Sequence, residues 1–139
     1  MLRKIADAIQ HQEVHHLPPE ATVFEAARLM KAKACGAVVV TSGGRLEGIF
    51  TERDLVNRVV AAELDPARTR LAEVMTHRPD HVQPDTYALE ALRMMEDGGY
   101  RHLPVMSRGR VIGVVSRRDF AGHEKAQLDH ERSLWEHVG

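Results

Sequence analysis

Thr51 and Asp54 stand three residues apart behind a glycine-led apolar run, in the stretch GIFTERD at 48–54, and Ser116 and Asp119 stand in the same arrangement in GVVSRRD at 113–119. Each pair sets a hydroxyl and a carboxylate beside a guanidinium, Arg53 in the first and Arg118 in the second. Two chemistries fit these residue types. A hydroxyl followed three residues later by an acid is a helix-capping arrangement, which stabilises the helix by about 1 kcal/mol with no ligand. At a strand-to-helix junction the same groups could read a nucleotide. Free N–H groups and the hydroxyl would meet a phosphate, the carboxylate would take ribose hydroxyls, and the guanidinium would balance phosphate charge. The sequence contains neither G-x-G-x-x-G nor G-x-x-x-x-G-K-[ST], so the dinucleotide-binding and P-loop arrangements do not compete.

The elements that must position these residues are themselves duplicated. Sliding the chain on itself by 65 positions aligns Pro19 with Pro84, Glu25 with Glu90, Arg28 with Arg93, Met30 with Met95 and Gly48 with Gly113 without a gap. Each copy opens with a short extended segment, 14–17 and 80–82. A helix follows, with Val23, Ala26, Ala27 and Met30 at helical spacing in one copy and Ala88, Ala91, Leu92 and Met95 in the other. Two strands come next, 37–40 with 46–50 and 102–106 with 111–115, around the glycine-bearing turns SGGR and SRGR. A second helix is expected from Thr51 and from Ser116, with Leu55, Val56, Val59 and Val60 as its apolar face in the first copy. The fold class is therefore α/β, two β-α-β-β-α repeats packed pseudo-symmetrically with a C-terminal helical tail. Repeat 1 runs over about 8–62, a polar connector over 63–69, repeat 2 over about 70–125 and the tail over about 126–139.

Composition narrows the function classes. The 139 residues are 43% apolar and 28% charged with a formal net charge of −1, which offers no basic field for a nucleic-acid backbone. The apolar run at 37–40 is far short of the roughly 20 residues that span a bilayer. The N-terminus carries Asp7 and Glu13 where a secretory leader would be apolar, and the single Cys35 permits no intrachain disulfide, so a cytoplasmic protein is expected. Cys35 reads as a small buried residue, and the methionines and Phe24 as core.

The tandem halves, closed by GIFTERD and GVVSRRD and with RHLPV at 101–105 before the second, resemble paired cystathionine-beta-synthase (CBS) domains, the Bateman module, in its stand-alone bacterial form. The resemblance covers nearly the whole chain. It implies a regulatory sensor, not an enzyme, that takes adenine nucleotides (AMP, ADP or ATP, with NAD or S-adenosylmethionine as further adenosyl ligands) in clefts between the repeats. By the same resemblance Asp54 and Asp119 hold ribose, Thr51 and Ser116 touch phosphate or ribose, and Arg53 and Arg118 face phosphate. The strand starts Gly36, Ala37 and Val38 and Arg101, His102, Leu103 and Pro104 line base and phosphate, and segments near 14–16 and 78–81, His81 included, complete the adenine pockets. Because Arg101, His102, Arg117 and Arg118 all belong to the second copy, its site is expected to favour the more phosphorylated ligand. The family also implies a homodimer. A ligand-independent dimerisation scaffold is the alternative, since capping alone explains both motifs, and a metal-dependent enzyme ranks behind it.

Nine histidines raise a metal reading. His11 and His15 would share a helical face, but their segment reads as extended before Leu17-Pro18-Pro19, so no metal is expected there. His123, His130 and His137 recur every seven residues along the tail, beside an apolar edge of Leu128, Leu134 and Trp135 able to dock on the body or on another chain.

Overall fold

The computed structural model describes residues 2–9, 13–120 and 122–138. In chain order its elements are α1 (Ile5–Ala8), β1 (His16–Leu17), α2 (Val23–Lys33), β2 (Ala37–Ser42), β3 (Arg45–Thr51), α3 (Glu52–Asp54), α4 (Leu71–Val74), β4 (Thr76–His77), α5 (Ala88–Gly98), β5 (His102–Ser107), β6 (Arg110–Ser116) and α6 (Gly122–Val138).

The duplication holds down to single residues. The Thr22 hydroxyl accepts the Glu25 N–H at 3.2 Å and starts α2, which ends at Ala34 in the left-handed conformation, φ 51°. Its counterpart α5 ends at Gly99, φ 72°, at the equivalent position. Both hairpins close through two residues of positive φ, Gly43 and Gly44 in one and Arg108 and Gly109 in the other, the backbone that matches the twist of the flanking strands. Both carry an irregularity at the same place, between Val40 and Thr41 and between Val105 and Met106. Leu17 pairs in parallel with Val40, and Val82 does so with Val105.

The repeats are knitted together by exchanged N-terminal segments. Leu71, Val74 and Met75, which open the second repeat, are buried with Val38, Phe50 and Val59 of the first. Ile5 and Ile9 are buried with Leu92, Met95 and Leu103 of the second. The same main-chain bonds make both exchanges: Ala72 N–H to Pro19 O at 3.1 Å and Ala6 N–H to Pro84 O at 2.9 Å, Leu71 N–H to Ala21 O and Ile5 N–H to Thr86 O, each at 2.8 Å. β4 consequently pairs with β3, giving a four-stranded sheet β1-β2-β3-β4 beside the β5-β6 hairpin, with β3 packed against β6.

Four expectations are corrected. The helix after Thr51 continues beyond α3 in π winding over Leu55–Val60, with Ala61 N–H donating to Val56 O at 2.8 Å. That wider winding buries Val59 but leaves Val56 57% and Val60 63% exposed, so the apolar face is split. After Ser116 no comparable helix forms: Arg117–Asp119 is a single 3-10 turn, and Phe120 then runs extended because its ring is buried in the second core. Phe24 lies half exposed under the Arg28 guanidinium rather than in the core. The tail docks through Leu128 and through ion pairs to α5, Arg93 with Glu131 at 2.6 Å and Arg132 with Glu96 at 3.2 Å, while Trp135 is 76% exposed. His11 and the side chains of His123 and His137 lie outside the described residues. Among the described residues no group of three or more His, Cys, Asp and Glu side chains is placed to hold a metal, and no helix is long and apolar enough to cross a membrane.

Candidate functional site

Both motif turns are built the same way. Asp54 Oδ2 accepts the Thr51 N–H at 2.9 Å and the Thr51 hydroxyl at 3.1 Å, and Asp119 Oδ2 accepts the Ser116 N–H at 2.7 Å and its hydroxyl at 3.1 Å. The capping reading of the sequence is thus realised. Asp54 N–H in turn reaches the Thr51 hydroxyl at 3.3 Å. The next donor is also spoken for, since Glu52 N–H bonds Gly36 O at 3.1 Å and Arg117 N–H bonds Arg101 O at 2.9 Å. The turn donors available to a phosphate are fewer than a free helix end would offer, so charge must come from side chains.

Those side chains gather in two unequal clefts between the repeats. The larger, of about 620 Å³, sets Thr51, Arg53 and Asp54 of the first motif against Arg78 and Asp80 and against Tyr100, Arg101 and His102 of the second repeat. The smaller, of about 220 Å³, sets Ser116, Arg118 and Asp119 against Glu13, His15 and Lys33 and against Cys35, Gly36 and Ala37 of the first repeat. Each strand start therefore contributes its main chain to its own motif and side chains to the opposite cleft, with His102 reaching both. The expected gathering of Arg101, His102, Arg117 and Arg118 in one second-copy site does not occur: Arg101 faces the first motif, and Arg117 is drawn into an ion pair with Glu96. The arginine-rich cleft is the first.

The remaining candidates are placed as follows. Val38 and Leu103 are buried in the two cores, Pro104 is buried in β5 with its carbonyl accepting the Val82 N–H at 3.0 Å, and His81 is exposed; all four lie off both cleft linings. Arg58, Tyr100 and Lys33 line clefts that sequence reasoning did not assign to them. For Arg58 a signal existed, because it follows Asp54 by four residues: its Nε lies 3.6 Å from Asp54 Oδ1, and its Nη1 donates to Met75 O at 3.1 Å.

Charge and burial shape the first cleft. Asp54 is 8% exposed; its Oδ2 is held by Thr51, and its Oδ1 faces Arg58. The Arg53 Nη1 donates to Gly99 O at 2.7 Å and spans the rim between the repeats. Tyr100 donates to Asp80 Oδ2 at 2.8 Å, and burial together with that carboxylate pushes the phenol up to about 12, so it remains a donor at neutral pH. Burial pulls the His102 imidazole below its ordinary 6.5, with Arg118 and Arg101 acting in the same direction and the Glu52 and Asp119 carboxylates opposing.

The CBS domain family model matches residues 5–61 and 71–125. An uncharacterized 17.7 kDa protein of Acidianus ambivalens is 38% identical over 119 residues, which are 84% of this chain and 69% of that protein. A CBS domain-containing protein of Arabidopsis thaliana is 43% identical over 100 residues, 71% of this chain, but the match spans only 18% of that relative's own length. Among solved structures, a CBS domain protein from Pyrobaculum aerophilum complexed with AMP superposes with a TM-score of 0.81 at 25% identity, over 91% of this chain and 98% of that one. The chain belongs to the CBS domain family and carries two copies in tandem. Such a pair is a regulatory module.

Proposed function

We propose that the chain is a sensor for adenosyl nucleotides, AMP, ADP or ATP first, which it binds without turnover in the larger cleft. One observation carries the reading: a single cavity of about 620 Å³ joins the Thr51 and Asp54 pair to Arg53, Arg78 and Arg101, which come from three separate segments. The volume falls within the roughly 300–1,000 Å³ of small-molecule sites, whereas the smaller cleft falls below it. Asp54 Oδ1 takes ribose hydroxyls, the guanidiniums take phosphate, and the Tyr100 ring offers a face to the base. The AMP held by the Pyrobaculum relative supports the ligand class. The preference for more phosphates accordingly moves to the first cleft.

Calorimetric titration of nucleotide-stripped protein with AMP, ADP, ATP, NAD and S-adenosylmethionine tests this, repeated on Arg101→Ala, a residue outside the capping turns. Saturable binding that Arg101→Ala weakens, most for ATP, is the expected result. No binding by any of the five sinks it.

A homodimer is part of the proposal, and a ligand-independent scaffold is the second reading, favoured by one feature. Val56 and Val60 lie exposed along the winding after α3, an apolar edge of the kind that interfaces cover. Sedimentation at micromolar protein with and without AMP separates the two: a dimer that responds to AMP fits the sensor, and a dimer indifferent to every nucleotide fits the scaffold.

A further inference from the structure

We propose that His102 couples the two clefts, so that an anion seated in the larger one draws a proton onto the imidazole and the resulting cation strengthens anion binding in the smaller one. The proposal rests on the nucleotide-binding reading of the larger cleft.

The geometry is that of a shared wall. Among the described residues lining the two cavities, His102 alone belongs to both. Its ring and the Glu52 carboxylate converge on Gly36: a Cβ built there would stand 3.3 Å from His102 Nε2 and 3.2 Å from Glu52 Oε1. The groups that face the ring are balanced. Arg101 comes from the residue before β5, Glu52 from the first motif turn, and Arg118 and Asp119 from the second, while Gly36 itself brings no side chain. Two cations and two carboxylates act on the ring in opposite directions. Burial then decides, and the empty protein holds His102 neutral at pH 7.

A phosphate in the larger cleft upsets that balance. It neutralises Arg101 and adds negative charge beside a partly desolvated imidazole, which favours the protonated ring. The new cation then borders the smaller cleft, where Arg118 and Lys33 face the Glu13 and Asp119 carboxylates, and tips that lining toward an anion. The coupling is reciprocal, because two binding events that share one proton assist each other equally. Each pH unit by which the ligand raises the imidazole corresponds to about a tenfold change in affinity below that value.

The fold supplies its own control. Ala37 occupies the position equivalent to His102 in the first repeat and pairs with Thr51 as His102 pairs with Ser116, so alanine is compatible with this strand start. Wild type and His102→Ala are titrated with AMP at about pH 6, near the ordinary histidine value, in MES and in bis-Tris, whose ionisation enthalpies differ. The comparison between proteins removes the titration of the ligand's own phosphate. AMP-saturated protein is then titrated with pyrophosphate at about pH 6 and about pH 8. The expected result is greater proton uptake by wild type than by His102→Ala, and a pyrophosphate affinity that rises at the lower pH in wild type alone. Equal uptake by the two proteins, or uptake with no change in pyrophosphate affinity, overturns the coupling and leaves the nucleotide site standing. Absence of AMP binding in both proteins overturns the site reading and the coupling with it.

Discussion

The Arg53 guanidinium of the first repeat donates to the Gly99 carbonyl of the second at 2.7 Å. The bond joins a motif turn to the left-handed end of α5 and lies on the rim of the larger cleft. Its donor is exposed to solvent, which limits its worth to stability to roughly 0.5–1.5 kcal/mol. Arg53→Ala should therefore lower the unfolding midpoint only slightly while weakening AMP about tenfold or more, the usual scale of a charge-assisted phosphate contact. Calorimetry beside urea unfolding checks both halves, and an unchanged AMP affinity would remove Arg53 from the site.

The two capping turns should differ in cost. Each loses its reciprocal bonds on Asp→Ala substitution, about 1 kcal/mol. Asp54 is buried and ion-paired with Arg58, so Asp54→Ala also leaves the part-buried Thr51 donors and the Arg58 guanidinium without their acceptor and should cost about 1–3 kcal/mol in all. Asp119 is only partly buried, and Asp119→Ala should stay near the capping value. Chemical denaturation of both variants decides; a larger loss for Asp119→Ala contradicts the assignment.

Gly48 is required by packing rather than by backbone conformation. A Cβ there would lie 2.6 Å from Met75 Sδ and 2.7 Å from the Thr76 carbonyl, where β4 pairs with β3. Gly48→Ala should destabilise by about 1–3 kcal/mol and loosen the exchanged segment. Accelerated amide exchange at Thr76 and His77 is the readout.

Ala34 offers the opposite experiment. It holds φ 51° at the end of α2, where the second repeat uses Gly99. Ala34→Gly relieves the left-handed strain and should raise stability by about 0.5–1 kcal/mol despite the added freedom of the unfolded chain. A lower melting temperature than wild type would refute it.

Stability should fall with acid partly through His102. Its folded value lies below the ordinary 6.5, so the unfolded chain takes a proton that the native protein does not, and the contribution is lost as pH drops through and below 6.5. His102→Ala should flatten thermal stability across about pH 5–7 relative to wild type. A parallel decline in both proteins would place the acid sensitivity elsewhere.

Much of the fold was legible in the sequence because each copy restates the other. The Pro19 and Pro84 alignment marks carbonyls that accept equivalent bonds, and the SGGR and SRGR turns close as paired positive-φ hairpins. The helix spacing was legible where packing is uniform and failed where it is not. Val56 and Val60 match a helical face that π winding carries outward, and Phe24 matches a core position that points to solvent. The helix expected from Ser116 gives way at Phe120, whose burial competes with continued winding.

The sequence by itself determined that one structural unit occurs twice, that each ends in a capped turn bearing a hydroxyl, a carboxylate and a guanidinium, and that these are the groups a nucleotide would need. Only the tertiary structure decided their grouping. Alignment of a chain with itself matches residues of like role, so it set Arg101 and His102 with the second motif, where Arg101 O accepts the Arg117 N–H and His102 pairs with Ser116. The cleft depends instead on how two like units face one another. Across the pseudo-symmetric contact the side chains of one strand start reach the motif of the other, which brings Arg101 opposite Thr51 and Asp54 and leaves His102 in the wall between the clefts.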